Sequence, residues 1–333
     1  MKNYRTYIEI DVEKLTIDYN IVKEDPQLEQ GQIQNTQKSV DKFLKTLKKT
    51  GCQMNETLFV FENTGIYSSL LALVLSENSL DYAQVPALEI KRSLGITRGK
   101  SDKVDAKEIA HYAKRNTDKI ALSTLPELSL QQLKIVFAER EKTVAAIKTF
   151  ERTKENEMFL TKEVFNSVKA INNQTVKHLK KQLVMLDEKI RTLIREDENL
   201  YGQQQLLKSI PGIGDITSVY ILMATKGFTA FTSGRKFACY SGVAPFEHSS
   251  GTSIKGKTRV SHLADKKMKT LLHMASLTAI KYDPELKDYY NRKKAEGKHT
   301  MLVLNNIKCK MVYRIFAVIQ RKSNFVNLHK FAA

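Results

Sequence analysis

The chain is poor in the residues that staple, kink or anchor a protein. It has only three cysteines (Cys52, Cys239 and Cys309), far apart and without a CxxC pair. That spacing excludes a disulfide framework and a zinc cluster of the usual pattern, and it fits a reducing cytoplasm. Tryptophan is absent, which decides nothing. No apolar run approaches the length of a membrane span. The opening Met-Lys-Asn-Tyr-Arg-Thr lacks the apolar centre of a signal peptide, so a cytoplasmic location is expected. Between residues 128 and 198 there is neither glycine nor proline, so neither of the strongest helix breakers stands there.

Acidic residues are scarce in the second part of the chain. Over 333 residues, 54 Lys+Arg stand against 36 Asp+Glu, a formal net charge of +18. Residues 201–333 hold 22 of the basic side chains and only 7 of the acidic ones, whereas residues 1–200 hold 32 against 29. So regional an excess points to a polyanionic partner, nucleic acid before any other, bound by the second part. A hydrophobic content of 42% is enough for two ordinary domains with real cores.

The front of the chain alternates strand and helix patterns. Residues 4–11 and 16–22 are rich in Tyr, Ile and Val and read as two strands joined by a short turn. Residues 23–36 are polar and Gln-rich, a loop or an irregular strand. Val40, Phe43, Leu44 and Leu47 share one face of a helix over 37–49. Residues 57–61 are continuously apolar, as expected of a strand buried on both faces. Helices over 66–78 and 103–115 and a short strand over 82–85 complete an α/β domain that closes near residue 125.

The middle, 126–200, carries an apolar stripe. Leu179, Leu183, Leu186, Ile190 and Leu193 recur at spacings of four and three, and Leu133, Phe137, Val144 and Ile147 form a similar stripe earlier. Such stripes bury against a partner helix. An antiparallel hairpin broken near 152–160 or 171–174 is expected. The stripe itself leaves open whether its partner belongs to the same chain or to a second copy. The last segment, 201–333, reads as mostly helical with a Gly/Ser-rich interruption at 241–257. It opens on Ser209-Ile210-Pro211-Gly212-Ile213-Gly214, a helix-hairpin-helix signature. Its small residues let backbone N–H groups approach a phosphate at the next helix start. A Pro-Gly turn before a helix is also common for purely structural reasons.

Four carboxylates carry the chemistry. Asp11 and Glu62 end apolar runs, and Asp102 and Asp105 lie three apart near a helix start, on one face. Acids at the ends of buried strands are costly unless a positive charge compensates them. Two Mg²⁺ ions would do so and would suit phosphoryl transfer. Singly, each acid has a plainer reading, such as an N-cap for Asp102.

A family resemblance rests on these residues. Asp11, the run Glu62-Asn63-Thr64-Gly65 and Lys100-Ser101-Asp102-Lys103-Val104-Asp105-Ala106 resemble the DEDD pattern of insertion-sequence transposases with a RuvC-like domain. These form the family numbered one-hundred-and-ten, the bridge-RNA-guided recombinases. The C-terminal part resembles it through Pro-Gly-Ile-Gly, Tyr240-Ser241-Gly242-Val243-Ala244-Pro245, then Ser250-Gly251, Gly256, Arg259 and Ser261. The chain departs from the pattern at Phe246, at Leu263-Ala264-Asp265 where a Gly-containing turn is usual, and at Lys269 where Arg is usual.

The resemblance implies an RNase-H-like (RuvC-like) N-terminal domain over 1–125, a helical coiled-coil hairpin over 126–200 and a basic, mostly α-helical transposase domain over 201–333. It implies Mg²⁺ on Asp11, Glu62, Asp102 and Asp105, and a nucleophilic serine at Ser250, with Ser249 and Ser253 as neighbours. From the residues alone, 247–254 is a flexible, hydroxyl-rich loop that could equally be an ordinary turn. His248 and His262 flank it as candidate proton carriers. The implied reaction attacks a DNA phosphodiester to leave a phosphoserine and a free 3′-hydroxyl, religated later without ATP. Pro211, Gly212, Gly214, Lys255, Lys257, Arg259, Lys266, Lys267 and Lys269 are the expected nucleic-acid contacts. The tail stripe Lys308, Lys310, Arg314, Arg321 and Lys322 is either a further one or a solvated helix face. Implied partners are donor and target DNA, a structured non-coding bridge RNA and further copies of the chain, as a dimer and as a tetramer in synapsis. The implied setting is the bacterial nucleoid. The rival readings are a metal-dependent junction-resolving nuclease and a non-catalytic scaffold.

Overall fold

The computed structural model describes residues 2, 4–23, 29–62, 64–85, 120–250, 254–260 and 264–327. They fall into two compact units, Met1–Leu125 and Pro126–Ala333. Among the described residues no helix is long and apolar enough to cross a membrane.

The first unit is built on a mixed five-stranded sheet. Its strands β1 (Thr6–Val12), β2 (Thr16–Lys23), β3 (Glu29–Gln34), β4 (Thr57–Glu62) and β5 (Tyr82–Val85) lie in the order β3-β2-β1-β4-β5. The first three pair antiparallel, and β1, β4 and β5 pair parallel. Helices α1 (Gln37–Lys49) and α2 (Ser69–Glu77) cover one face. There Ile8, Ile10, Val12, Phe59 and Phe61 pack with Val40, Phe43, Leu44 and Leu47 of α1 and Leu71, Val74 and Leu75 of α2. Thr36 starts α1 by accepting a hydrogen bond from the Ser39 backbone N–H. On the other face Tyr7, Leu58, Val60, Ala83 and Val85 form a smaller cluster. This is the RNase-H-like architecture expected from the sequence. The expected helix over 103–115 lies outside the described residues.

The Gln-rich segment becomes the edge strand β3. Its glutamines sit at a solvated sheet edge, and Gly31 leaves room for the Tyr19 ring, whose hydroxyl would lie 2.4 Å from a Cβ there.

The second unit begins with two long helices, α3 (Leu128–Arg152) and α4 (Lys162–Arg195). The break between them is a 3₁₀ turn over Thr153–Met158, and Thr161 caps α4, accepting from the Val164 N–H. Residues 171–174 lie inside α4. The apolar stripe is buried within the chain at Leu133, Phe137, Ile147, Ile190 and Leu193, while Val144, Leu179, Leu183 and Leu186 are half-buried. Leu133 and Phe137 of α3 share a core with Ile190, Leu193 and Ile194 of α4, and Arg140 Nε donates to Asp187 Oδ1 at 2.6 Å.

The remaining helices are α5 (Glu198–Lys208), α6 (Asp215–Thr225), α7 (Gly234–Tyr240), α8 (Lys266–Tyr282), α9 (Pro284–Ala295) and α10 (Thr300–Arg321). The segment expected as a loop is instead an antiparallel hairpin of β6 (Pro245–Ser250) and β7 (Ile254–Val260), with an irregularity between Phe246 and His248. β-branched residues at 254, 258 and 260 suit the strand β7.

Two residues organise this unit. Asp265 caps α8, accepting from the Met268 N–H at 2.8 Å, and its other oxygen accepts from the hydroxyls of Tyr220 (2.9 Å) and Tyr240 (2.7 Å). Burial, and then the bond to Asp265, push both phenols above the ordinary tyrosine range. Gly212 turns the chain between α5 and α6 at φ +94°, and a Cβ there would lie 2.4 Å from the Ala275 carbonyl of α8. Backbone conformation and helix contact therefore both demand glycine at this point.

Gly212→Ala is expected to cost roughly 1–3 kcal/mol or more. Gly202→Ala, inside α5 with nothing within 4 Å of the new methyl, is expected to add about 0.5–1 kcal/mol. Urea denaturation of the full chain measures both, and equal effects would contradict this reading of Gly212.

Candidate active site and nucleic-acid interface

The sheet register brings two of the four expected acids together. β1 and β4 pair in parallel from Thr6↔Thr57 to Ile10↔Phe61, and one step further the same register sets Asp11 beside Glu62. Side chains alternate along a strand, so both belong to the face of Tyr7, Leu58 and Val60, opposite the one covered by α1 and α2. Both are half-buried. Neighbouring strands lie about 4.8 Å apart, so two ionised carboxylates here repel, and a shared cation would relieve the repulsion.

The same face holds two further acids that sequence reasoning overlooked. Asp18 opposes Asp11 in the antiparallel register, and Gln32 Nε2 donates to both its carboxylate oxygens at 3.0 and 3.1 Å. Glu9 lies one row below Asp11 and is 1% exposed. Period-two alternation from Asp11 would have found Glu9, whereas Asp18 follows only from the β1–β2 register. Hard oxygen donors of this kind suit a divalent ion such as Mg²⁺ or Mn²⁺. Among the described residues no group of three or more His, Cys, Asp or Glu is arranged to hold a metal. Asp102 and Asp105 lie outside the described residues, so what is seen is one pair of the expected four.

Ser250 is the last residue of β6, in register with Ile254; Ser249 is paired with Lys255 and His248 with Gly256. Ser253 and His262 lie outside the described residues. The root of this hairpin is fixed by Asn305 Nδ2, which donates to the Val243 carbonyl at 2.9 Å, and by the Asp265 N–H, which donates to the Tyr240 carbonyl at 2.9 Å. The expected basic residues Lys255, Lys257 and Arg259 fall at alternate positions of β7.

The other expected contacts divide. Lys266 is exposed and Lys269 half-buried, while Lys267 is paired with Glu141. Pro211 and Gly214 flank the turn before α6. Gly214 is its N-cap with open space around it, but Asp215 stands in the first helical turn, bound to Lys208 at 2.6 Å. The tail stripe does not form one cationic face. Lys308 is buried at 4% exposure, and Arg314 is engaged by Asp283 and Glu285. Burial, then Lys269, hold the Lys308 amine below the usual lysine range. Their positions on α10 face the core, a fact that charge counting along a sequence does not register.

Two family models match the chain. The DEDD transposase model of the IS110 type covers residues 8–156, and the model of the IS116/IS110/IS902 transposase family covers residues 204–291. The pilin gene-inverting protein of Moraxella bovis is 27% identical over 326 residues, spanning 96% of this chain and 98% of that relative. Its namesake from Moraxella lacunata is 26% identical over the same length. The uncharacterized 42 kDa protein of insertion element IS900 from Mycobacterium paratuberculosis is 33% identical over 134 residues, 39% of this chain and 33% of that one. One model meets the acid-bearing sheet and the other the helix-hairpin-helix with the serine hairpin, so both halves point the same way: the chain belongs to the IS110/IS116/IS902 family of DEDD transposases, enzymes that act on DNA.

Proposed function

We propose that this transposase cuts and rejoins DNA through a covalent intermediate on Ser250, with Mg²⁺ held by Asp11, Glu62, Asp102 and Asp105. What supports the reading is the parallel β1–β4 register, which runs to Ile10↔Phe61 and, carried one residue further, sets Asp11 beside Glu62 on one sheet face within the stretch matched by the DEDD model. Bound there, the metal would neutralise charge on the phosphate under attack. Ser250 Oγ would attack the phosphorus as the P–O3′ bond breaks. The hydroxyl proton is transferred to the departing 3′-oxygen, leaving a phosphoserine and a free 3′-hydroxyl. Reversal with a new 3′-hydroxyl rejoins the strand and frees the serine, with no external energy source. Lys255, Lys257 and Arg259, on the strand after Ser250, would neutralise the DNA backbone.

Rejoining is favoured over hydrolysis by the Moraxella relatives, whose name describes inversion of a gene, an outcome that demands resealed strands. A junction-resolving nuclease that uses water remains the second reading. Under the recombinase reading a bridge RNA would pair with donor and target DNA while the protein reads backbone and shape. The chain would act as a dimer that pairs into a tetramer in synapsis.

Denaturing gels of protein incubated with Mg²⁺ and labelled substrate DNA should show a covalent adduct with the native chain and with Ser249→Ala, and none with Ser250→Ala. Absence of any adduct while cleavage proceeds would favour the nuclease. Sequencing the RNA that co-purifies with the chain should return one discrete species from non-coding DNA beside its gene; random fragments would remove the guide from the account.

A further inference from the structure

We infer that a cleft at the foot of the α3–α4 hairpin, within the second unit, takes one unpaired nucleotide of a nucleic-acid strand. Its base would lie against Tyr220, Met223 and Tyr240, and its phosphate between Lys134 and Lys226. The cleft has a volume of about 550 Å³, in the range of ligand pockets. Its lining includes none of the proposed metal-binding acids and no serine, and the inference rests only on the chain's action on nucleic acid, not on Ser250.

Its walls are rigid. Both tyrosine hydroxyls are tied to one oxygen of Asp265, and Phe137 stands behind Tyr220 at a ring separation of 5.6 Å. Its charge is unbalanced. Glu141, the acid of the lining, is already paired with Lys267. Lys134 and Lys226 then face each other, and no acid among the described residues pairs with either. Burial first, and Lys226 second, hold the Lys134 amine below the usual lysine range.

Lys226 is also held in a costly backbone conformation. It ends α6 at φ +49°, a left-handed position that favours glycine or asparagine, and Gly227 and Phe228 continue in the same region at +63° and +64°. A lysine at this position pays for its place twice, in conformation and in repulsion from Lys134. A bound anion offsets the second cost and gives a reason for the first.

The anion should carry a ring. The lining is mainly apolar and aromatic, and Tyr240 keeps 36% of its surface exposed. Stacking on such a surface is tolerant of base identity. A base inside a duplex presents only its edge, so face contact requires one that is unpaired and turned out of the stack.

The test uses the full chain with fluorescently labelled single-stranded DNA, single-stranded RNA of the same sequence, and the matching DNA duplex. Lys134→Gln combined with Lys226→Gln should weaken binding of at least one single strand about tenfold, lower its salt slope by about 0.7, and leave duplex affinity within twofold. Which strand responds identifies the source of the nucleotide. Lys226→Gly, which suits the left-handed turn, should be at least as resistant to heat as the native chain yet bind the single strand more weakly. Bromouracil-substituted strands should photocrosslink to peptides bearing Tyr220 or Tyr240. Unchanged single-strand affinity and slope in the double variant, an equal loss for duplex and single strand, or crosslinks confined to other peptides would each overturn the inference. The Ser250 adduct is read in a separate assay, so failure of one proposal is told apart from failure of the other.

Discussion

The in-register parallel pairing of β1 with β4 is the constraint on which the functional reading of the first unit depends. It places two carboxylates side by side on one face of a sheet whose opposite face is sealed by helices. Like charges at neighbouring strand ends repel, and a cation between them would relieve that repulsion. Apolar residues at 11 and 62 would extend the cluster of Tyr7, Leu58 and Val60. Under the proposed function the acids would form a cation site, and functional positions of that kind are often kept at some expense of stability.

The second unit solves a different problem. It must hold a short β-hairpin firmly on a helical body. Asp265 joins the start of α8 to two tyrosines from α6 and α7, while its backbone holds the segment leading into β6. Gly212 lets the α5–α6 turn lie against α8. The Pro-Gly-Ile-Gly signature therefore has a packing reason as well as any role at a phosphate. Its first glycine is fixed by contact with α8, and its second, at the start of α6, is the one with open space.

What was legible in the sequence is what periodicity encodes. The stripe of Val40, Phe43, Leu44 and Leu47 specified α1 and its buried face, and the run 57–61 specified the central strand β4. The absence of glycine and proline foretold the long helices, and of the two expected breaks, near 152–160 or 171–174, the first is the one that forms. Edge strands were harder to read. β3 is Gln-rich because one side of it meets water, and β6 carries a register shift that breaks period-two alternation. The partner of the α4 stripe was not encoded locally, since any apolar helix face satisfies it. The site was legible as residue types in order, and the β1–β4 register adds that Asp11 and Glu62 follow the last paired residues on adjacent strands. Asp265 looked like a departure from a turn motif and proved to be a helix cap with two tyrosine partners. Lys308 and Arg314 looked like surface charge, but one is buried and the other is committed to Asp283 and Glu285.

The central claim is that Asp11 and Glu62 share one divalent ion. Calorimetric titration of Mn²⁺ into the native chain, Asp11→Asn and Glu62→Gln, with no DNA present, tests it most directly. The account predicts that each substitution alone weakens the same site at least about tenfold while the fold, followed by thermal melting, is retained. Native-like Mn²⁺ affinity in either folded variant would contradict it.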